Sequence, residues 1–202
     1  MIEDTTIFSG GFAQPVFGAQ TAFRALMDGM ARPATIQTVE ADAAAPGGLP
    51  TAMAALALTL FDHDTAILLA PSLETGPFKA WLAFHTGAQT VTARLDADFA
   101  LFDLASGFPE VEGFAIGSDE YPDRSTTLII EIESLTGGHL LEAKGPGIKG
   151  STQLSPLGLP KDFLEQRAAN HLLFPRGIDL VLVSGNTFLC LPRTTSLSAV
   201  EA

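Results

Sequence analysis

The sequence predicts an α/β fold built on a mixed sheet. Segments with helical periodicity alternate with short apolar strands along the chain, which is the pattern of a sheet covered by helices. A hairpin near the C-terminus adds at least one antiparallel pair of strands, so the sheet is not purely parallel. Of the 202 residues, 47% are hydrophobic and 17% are charged, and this composition supplies a large core. We find no internal repeat or linker and expect a single domain over residues 1–202.

The first part of the chain predicts two helices. The first covers residues 15–31, where apolar positions recur along one helical stripe. It ends at Arg32-Pro33, because proline disfavours helical geometry in the residue before it. A short strand over 34–39 and a loop over 42–48 follow. The second helix starts at Leu49-Pro50-Thr51 and runs to about residue 61. It is apolar nearly all round, so we expect it to lie buried between layers of the fold.

The middle of the chain predicts shorter elements. Residues 62–64 form a turn, and 65–70 form a short buried strand. A helix over 77–84 ends in His85-Thr86-Gly87, where the glycine suits a left-handed C-cap. A further apolar strand covers 99–104. The stretch 105–124 is rich in glycine, proline and acidic residues and is typical of a surface loop.

The C-terminal part contains the clearest pattern. A strand is predicted over 125–133, with weaker strands over 139–143 and 151–154, and a helix over 161–173. Strands over 178–183 and 187–191 flank Ser184-Gly185-Asn186, which indicates a hairpin with a tight turn.

The charge excludes several classes of protein. The net charge of −12 argues against a protein that coats nucleic acid or binds an anionic membrane, because both need a basic face. No apolar stretch approaches the ~20 residues of a membrane span, and the N-terminus lacks the pattern of a signal peptide. The single cysteine, Cys190, has no partner for an internal disulfide and is expected in the core. We therefore expect a soluble, cytoplasmic protein.

The charge is also uneven along the chain. Residues 1–123 contain 16 acidic and four basic residues, whereas residues 124–202 contain seven of each. The acidic excess in the first part favours contact with a basic partner. It does not argue against a local anion site in the second part.

A glycine-rich turn is the first candidate site. Gly145-Pro146-Gly147-Ile148-Lys149-Gly150 matches the letters of a dinucleotide-binding motif, but that motif needs a helix after it, and a strand-like segment broken by proline follows here. Successive main-chain N–H groups of such a turn can instead bind an anion, with Lys144 and Lys149 supplying charge. A plain tight bend between two strands also explains the glycines, and both interpretations stay open.

Two arginines are further candidates. Arg193-Thr194-Thr195 follows the last strand of the hairpin, and its guanidinium and hydroxyl groups are suited to a phosphate or phosphonate. The same arginine can equally have a structural role. Hydrogen bonds from its guanidinium to main-chain carbonyls or to an acidic side chain would then hold the end of the chain against the rest of the protein, and we call this the pinning role. Arg32 allows the same two interpretations, with a role at the negative C-terminal end of its helix slightly favoured.

Of the four histidines, only His85 is a candidate for ligand binding or catalysis, because it lies at a helix end beside a glycine. It can equally serve to cap that helix. No catalytic triad motif, metal-ligand spacing or buried lysine suited to a Schiff base is found. We therefore assign no catalytic residue, no metal site and no cofactor.

Seven motifs lie in compatible order between about Phe12 and Thr195. They are Gln20, Phe23-Arg24, Met27 and Met30-Ala31-Arg32-Pro33; Leu58-Thr59-Leu60-Phe61-Asp62 and Asp64-Thr65; Phe84-His85-Thr86-Gly87-Ala88; Ser125-Thr126-Thr127-Leu128-Ile129; Gly145-Pro146-Gly147-Ile148; Phe174-Pro175-Arg176-Gly177-Ile178-Asp179; and Leu191-Pro192-Arg193-Thr194-Thr195. Together they resemble the H subunit family of the bacterial carbon–phosphorus lyase system, which degrades phosphonates.

The resemblance implies a fold and a function. The family fold is a three-layer α/β arrangement with a mixed central sheet, similar to the main domain of pyridoxal-phosphate aminotransferases but without that cofactor. Family members form homodimers and join the G, I and J subunits in a core complex. That complex makes a ribose 1-phosphonate 5-triphosphate from ATP and a phosphonate. The resemblance supplies no catalytic residue for this subunit, so we expect an architectural role. The alternative is a phosphate- or nucleotide-binding small-molecule enzyme of α/β fold.

Overall fold

A seven-stranded mixed sheet forms the centre of the computed structural model, which describes residues 5–40 and 42–200. Within these residues the helices are α1 (Pro15–Ala31), α2 (Thr51–Leu60), α3 (Pro71–Thr75), α4 (Pro77–Thr86) and α5 (Phe163–His171). The strands are β1 (Gln37–Thr38), β2 (Ala66–Leu69), β3 (Gln89–Val91), β4 (Phe99–Phe102), β5 (Thr127–Glu131), β6 (Leu141–Lys144), β7 (Thr152–Leu154), β8 (Asp179–Ser184), β9 (Thr187–Leu191) and β10 (Ser196–Ala199).

The order of the strands confirms the predicted α/β class with a mixed sheet. The central sheet runs β1-β9-β8-β5-β4-β2-β3, and strands β3, β2, β4, β5 and β8 are parallel to one another. β9 is antiparallel to both of its neighbours. A second, antiparallel sheet has the order β10-β6-β7. The inner strands are apolar along their length because both faces of the sheet are buried; all five residues from Asp179 to Val183 are buried.

The sequence explains the two helices that pack on this sheet from the N-terminal part. α1 covers the predicted 15–31, begins with proline at its first position and buries Ala22, Leu26 and Gly29. It packs against α2 and β9. In α2 every residue from Ala52 to Ala57 is buried, which confirms the prediction made from its apolar character. α4 ends at Gly87, whose φ of 72° confirms the predicted left-handed C-cap.

The hairpin near the C-terminus is also confirmed. β8 and β9 pair in antiparallel register with Ser184 opposite Thr187, so the loop consists of Gly185 and Asn186. Gly185 has a φ of 60°, as a two-residue turn requires. Cys190 on β9 is buried in the core, as expected.

Other boundaries were wrong or missed. The strand predicted over 34–39 is limited to Gln37–Thr38, because Ala34 has a φ of 62° that interrupts the extended chain. The helix predicted over 161–173 is shorter at both ends. The short elements α3, β3 and β10 were not predicted. Residues 105–124 contain neither a helix nor an extended strand, as predicted.

No helix among the described residues is both long enough and apolar enough to cross a bilayer.

Candidate functional site

Three segments that are distant in sequence meet at the C-terminal end of α1. The glycine-rich turn connects β6 to β7, and β10 pairs with β6 so that Ser196 lies opposite Lys144. This pairing brings the end of the chain beside the turn. A Cβ at Gly145 would lie 2.7 Å from the carbonyl oxygen of Thr194, and a Cβ at Gly147 would lie 2.1 Å from that of Ala31. The two glycines therefore allow backbone contacts that a side chain would prevent.

The turn has the conformation that such contacts require. Gly145 and Gly147 have φ values of 151° and 82°, which lie in the region that favours glycine. The N–H of Ile148 donates to the carbonyl of Gly145 at 3.1 Å and closes the turn. The sequence left two roles open for these glycines, an anion-binding turn and a tight bend between two strands. The close backbone contacts alone are enough to explain why both positions are glycine.

A small cleft lies at this junction, and we call it the glycine-turn cleft. It has a volume of about 230 Å³ and is lined by Arg32, Pro33, Thr35, Gly147, Ile148, Lys149, Ser151 and Thr152. Arg32, Gly147 and Lys149 were separate candidates in the sequence, and the fold brings them together. The cleft lining also contains three hydroxyl-bearing residues that the sequence analysis did not select, namely Thr35, Ser151 and Thr152.

The charge of the cleft is only weakly positive. Arg32 forms an exposed ion pair with Asp28, four residues earlier on α1, at 2.9 Å. Lys144 pairs with Glu142 at 2.5 Å. Lys149 forms no ion pair with any described residue. The carbonyl end of α1 adds a partial negative charge, so Lys149 is the main source of attraction for an anion here.

The pKa of Glu142 supports this description. Hydrogen bonds from Lys144 and Ser151 hold the pKa of the Glu142 carboxyl below its usual value. The carboxylate is therefore ionised at neutral pH and compensates the charge of Lys144.

Arg193 is directed into the body of the protein. Its Nη2 and Nε donate to the two oxygens of Asp179 at 2.6 and 3.2 Å. Nη1 donates to the carbonyl of Pro122 at 2.6 Å, and Nη2 also contacts the hydroxyl of Ser125. The side chains of Arg193 and Asp179 are 13% and 12% exposed. These contacts are those of the pinning role considered for Arg193, since they tie the segment after β9 to the start of β8 and to the surface loop.

The sequence did not identify Arg167 as part of this region. Arg167 lies on the buried face of α5, and its Nη2 donates to the carbonyls of Pro192 and Thr195 at 2.7 and 3.4 Å. Burial lowers the pKa of Arg167 to about 10, while Asp179 acts in the opposite direction. Its Nε and Nη1 and the hydroxyl of Thr195 are buried without a hydrogen-bond partner. The available signal was the position of Arg167 four residues after Phe163, on the same side of the helix, because a buried charge needs an acceptor in the core.

His85 lies apart from the glycine-turn cleft. It is on the last turn of α4, and its Nε2 is 3.3 Å from the carbonyl oxygen of Ser9. Its ring packs against those of Trp81 and Phe84. The candidate residues therefore do not form one site. Arg32, Gly147 and Lys149 line the glycine-turn cleft, whereas Arg193 is directed into the body of the protein and His85 lies elsewhere on the surface.

Other features of the described residues bear on chemistry. They contain no group of three or more His, Cys, Asp or Glu side chains that could hold a metal ion. Lys144, Lys149 and Lys161 are exposed, and Lys79 is half-buried and paired with Glu74. The fold and the two sites define an α/β protein with a weakly basic surface cleft and a histidine at a separate surface position.

Comparison with known proteins gives the family. Residues 10–198 match the bacterial phosphonate metabolism proteins called PhnH. The chain is 49% identical over 197 residues to a protein of Rhizobium meliloti (strain 1021) named alpha-D-ribose 1-methylphosphonate 5-triphosphate synthase subunit PhnH, and the match covers 98% of each chain. It is 31% identical over 180 residues to the putative C-P lyase subunit protein HtxG of Stutzerimonas stutzeri, covering 89% of this chain and 85% of that protein. The chain belongs to the PhnH family, which confirms the resemblance found in the sequence.

Proposed function

We propose that this protein is a subunit of a carbon–phosphorus lyase core complex. In that complex it takes part, with G, I and J subunits, in making ribose 1-phosphonate 5-triphosphate from ATP and a phosphonate, which is a transferase reaction. The observation that carries the proposal is the 49% identity, over nearly the full length of both chains, to a protein named as a subunit of that synthase. Its role is mainly architectural, and it acts in the cytoplasm as a homodimer within the complex.

An exposed apolar stripe on α1 supports a role in assembly. Val16, Phe23 and Met27 are 67%, 48% and 53% exposed. Their spacing of seven and four residues puts them on one side of the helix, next to the face that packs on the core. We call these three residues the α1 stripe. Exposed apolar residues grouped in this way are typical of protein–protein contacts, and we assign the α1 stripe to self-pairing or to a partner subunit.

The first experiment measures activity with and without partners. The protein alone is incubated with ATP and methylphosphonate, and release of adenine is followed by chromatography. We expect little release from the isolated protein and turnover when the G, I and J subunits are added. Robust turnover by the protein alone would contradict the architectural role.

The second experiment tests the α1 stripe. Phe23→Glu is expected to reduce co-purification with the G, I and J subunits or to shift the protein toward monomer, because a charge is disfavoured in an apolar contact. Leu95→Glu is the matched control, since Leu95 is 70% exposed and lies in a separate short helical turn. If both variants assemble like the unmodified protein, the α1 stripe is not an interface.

The glycine-turn cleft supports a second candidate function, which is the binding of a phosphate or phosphonate group. The convergence of Arg32, Gly147 and Lys149 favours it. Calorimetry with ATP and with methylphosphonate tests it on the isolated protein, and Lys149→Met should weaken binding several-fold. Lys161→Met is the control, because Lys161 is also exposed and does not line the cleft. A flat titration with both ligands would leave only the architectural function.

The finer description of the fold belongs to the same proposal. We infer that residues 1–202 form one domain with three layers, similar to the main domain of pyridoxal-phosphate aminotransferases but without the cofactor. One contiguous group of buried apolar residues extends from α1 to β9, and the central sheet has a single antiparallel strand, β9. Both observations support this arrangement. Protein that stays colourless after incubation with pyridoxal phosphate is the expected result.

A further inference from the structure

A second cleft lies between the N-terminal segment and α1, and we call it the His85 cleft. Its volume is about 640 Å³, which is within the range of small-molecule pockets. Apolar side chains form most of its walls, namely Phe8, Phe12, Val16, Ala19 and Leu58. His85 is the one titratable side chain in the lining, which also includes Gly10 and Gly11. The side chains of the lining are thus apolar except for His85, and main-chain groups supply the rest of its polar surface.

A chain of aromatic ring contacts holds one wall of the cleft in place. The ring of Phe8 contacts that of Phe84 edge-on with 4.9 Å between centroids. Phe84 contacts His85 at 5.0 Å, and His85 contacts the buried Trp81 at 4.9 Å. The indole N–H of Trp81 donates to the carbonyl of Ser9 at 2.8 Å. These contacts fix the N-terminal segment to α4 and hold Phe8 at the edge of the cleft.

The hydrogen bonding of His85 determines which of its ring nitrogens can act as an acceptor. The carbonyl oxygen of Ser9 can only accept, so the Nε2 of His85 carries the proton in this contact. The neutral imidazole then has its lone pair on Nδ1. Nδ1 forms no hydrogen bond with a described residue. Gly11 lies directly beside it, and a Cβ there would be 3.1 Å from both Nδ1 and Cε1. A side chain at residue 11 would therefore crowd Nδ1, and glycine avoids this.

We propose that the His85 cleft binds a small, uncharged, ring-shaped molecule that donates one hydrogen bond from a hydroxyl or N–H group to Nδ1 of His85. The apolar walls contact the faces of the ring, and Nδ1 of His85 orients it. A neutral ligand fits because the lining contains no carboxylate, lysine or arginine. This site goes beyond the architectural function. Val16 belongs both to the α1 stripe and to the lining of the cleft, so the oligomeric state of the protein is measured in parallel, and a failure to bind the probes in protein that assembles normally counts against this site alone.

Phenol and toluene are the probes, because they have the same shape and differ in the hydrogen-bond donor. Binding at pH 8 is followed by calorimetry and by the NMR signals of His85. We expect phenol to bind about threefold to tenfold more tightly than toluene, which is the ratio that one net hydrogen bond supplies. In His85→Phe, which keeps an aromatic ring at this position, we expect this preference to disappear or reverse, because the hydroxyl then lacks Nδ1 as its acceptor.

A second variant tests the location. Ala19→Phe puts a ring into the cleft and is expected to abolish binding of both probes. Gln20→Phe is the matched control, because Gln20 is exposed on the same helix and does not line the cleft. The proposal is overturned if neither probe binds the unmodified protein or if toluene binds as tightly as phenol. It is also overturned if the preference survives in His85→Phe, or if Ala19→Phe binds like the control.

Discussion

Replacing Arg193 by methionine is expected to destabilise the protein strongly. The variant leaves the carboxylate of Asp179, which is 12% exposed, without its charged partner. It also removes donors from the carbonyl of Pro122 and the hydroxyl of Ser125. Breaking a buried ion pair from one side costs about 3–5 kcal/mol. Asp179 keeps one hydrogen bond, from the main-chain N–H of Arg193 at 2.7 Å, so we expect the lower end, about 3 kcal/mol.

Urea unfolding measures this loss. With a slope of about 2 kcal/mol per molar urea, a loss of about 3 kcal/mol shifts the midpoint by roughly 1.5 M. Arg32→Met is the matched control, because Arg32 and Asp28 form an ion pair with side chains 59% and 61% exposed. Such a pair contributes less than about 1 kcal/mol. Equal midpoint shifts for the two variants would refute the structural role assigned to Arg193.

Three further predictions concern backbone strain, pH and reactivity. Gly147→Ala should lower the unfolding midpoint more than Gly150→Ala. Both glycines have positive φ values, but only at Gly147 would a Cβ meet a backbone atom, the carbonyl oxygen of Ala31 at 2.1 Å. Similar midpoints for the two variants would contradict this close contact. Burial raises the pKa of the Glu131 carboxyl above its ordinary value. Between the pKa of the unfolded chain, about 4, and the higher pKa of the folded protein, the folded state keeps a proton that the unfolded chain has lost. The free energy of unfolding therefore falls as the pH rises through this range. Glu131→Gln should therefore stabilise the protein at pH 7 and lose this advantage at pH 3.5, and an effect independent of pH would be the wrong outcome. Burial also raises the pKa of the Cys190 thiol to about 12. At pH 8 the native protein should therefore not react with a thiol reagent that fully modifies Cys190 in urea. Rapid labelling without urea would disprove the burial.

Elements with a strong local pattern could be predicted from the sequence. The bounds of α1 were predicted correctly because an apolar stripe, a proline at the start and a proline after the end all agree. The hairpin of β8 and β9 followed from two apolar runs around a glycine turn. β3 and β10 carry no comparable pattern, since three and four residues with mixed exposure become strands only through the neighbours they pair with.

The candidate site was predicted only in part. The sequence identified Arg32, Gly147 and Lys149 separately, but their proximity depends on the packing of the glycine turn against the end of α1. The role of Arg193 depends on Asp179, which lies 14 residues earlier and faces it only because β8 and β9 form a hairpin. No local pattern contains such a pair. The same holds for His85, whose tautomer is set by the carbonyl of Ser9, 76 residues away.

Helix α1 connects the proposed interface to the candidate anion site. The α1 stripe begins at Val16 and ends at Met27, and the glycine-turn cleft starts one turn later at Arg32. The ion pair between Arg32 and Asp28 lies between them. A substitution in the α1 stripe can therefore alter the glycine-turn cleft by tilting the end of α1. For this reason, a loss of anion binding in Phe23→Glu would not show that the anion lies near Phe23. Lys149 belongs to the turn and not to the helix, so Lys149→Met changes the charge of the cleft and leaves α1 unaltered. If that variant assembles normally and loses binding, the two functions are separate in the molecule although they share one helix.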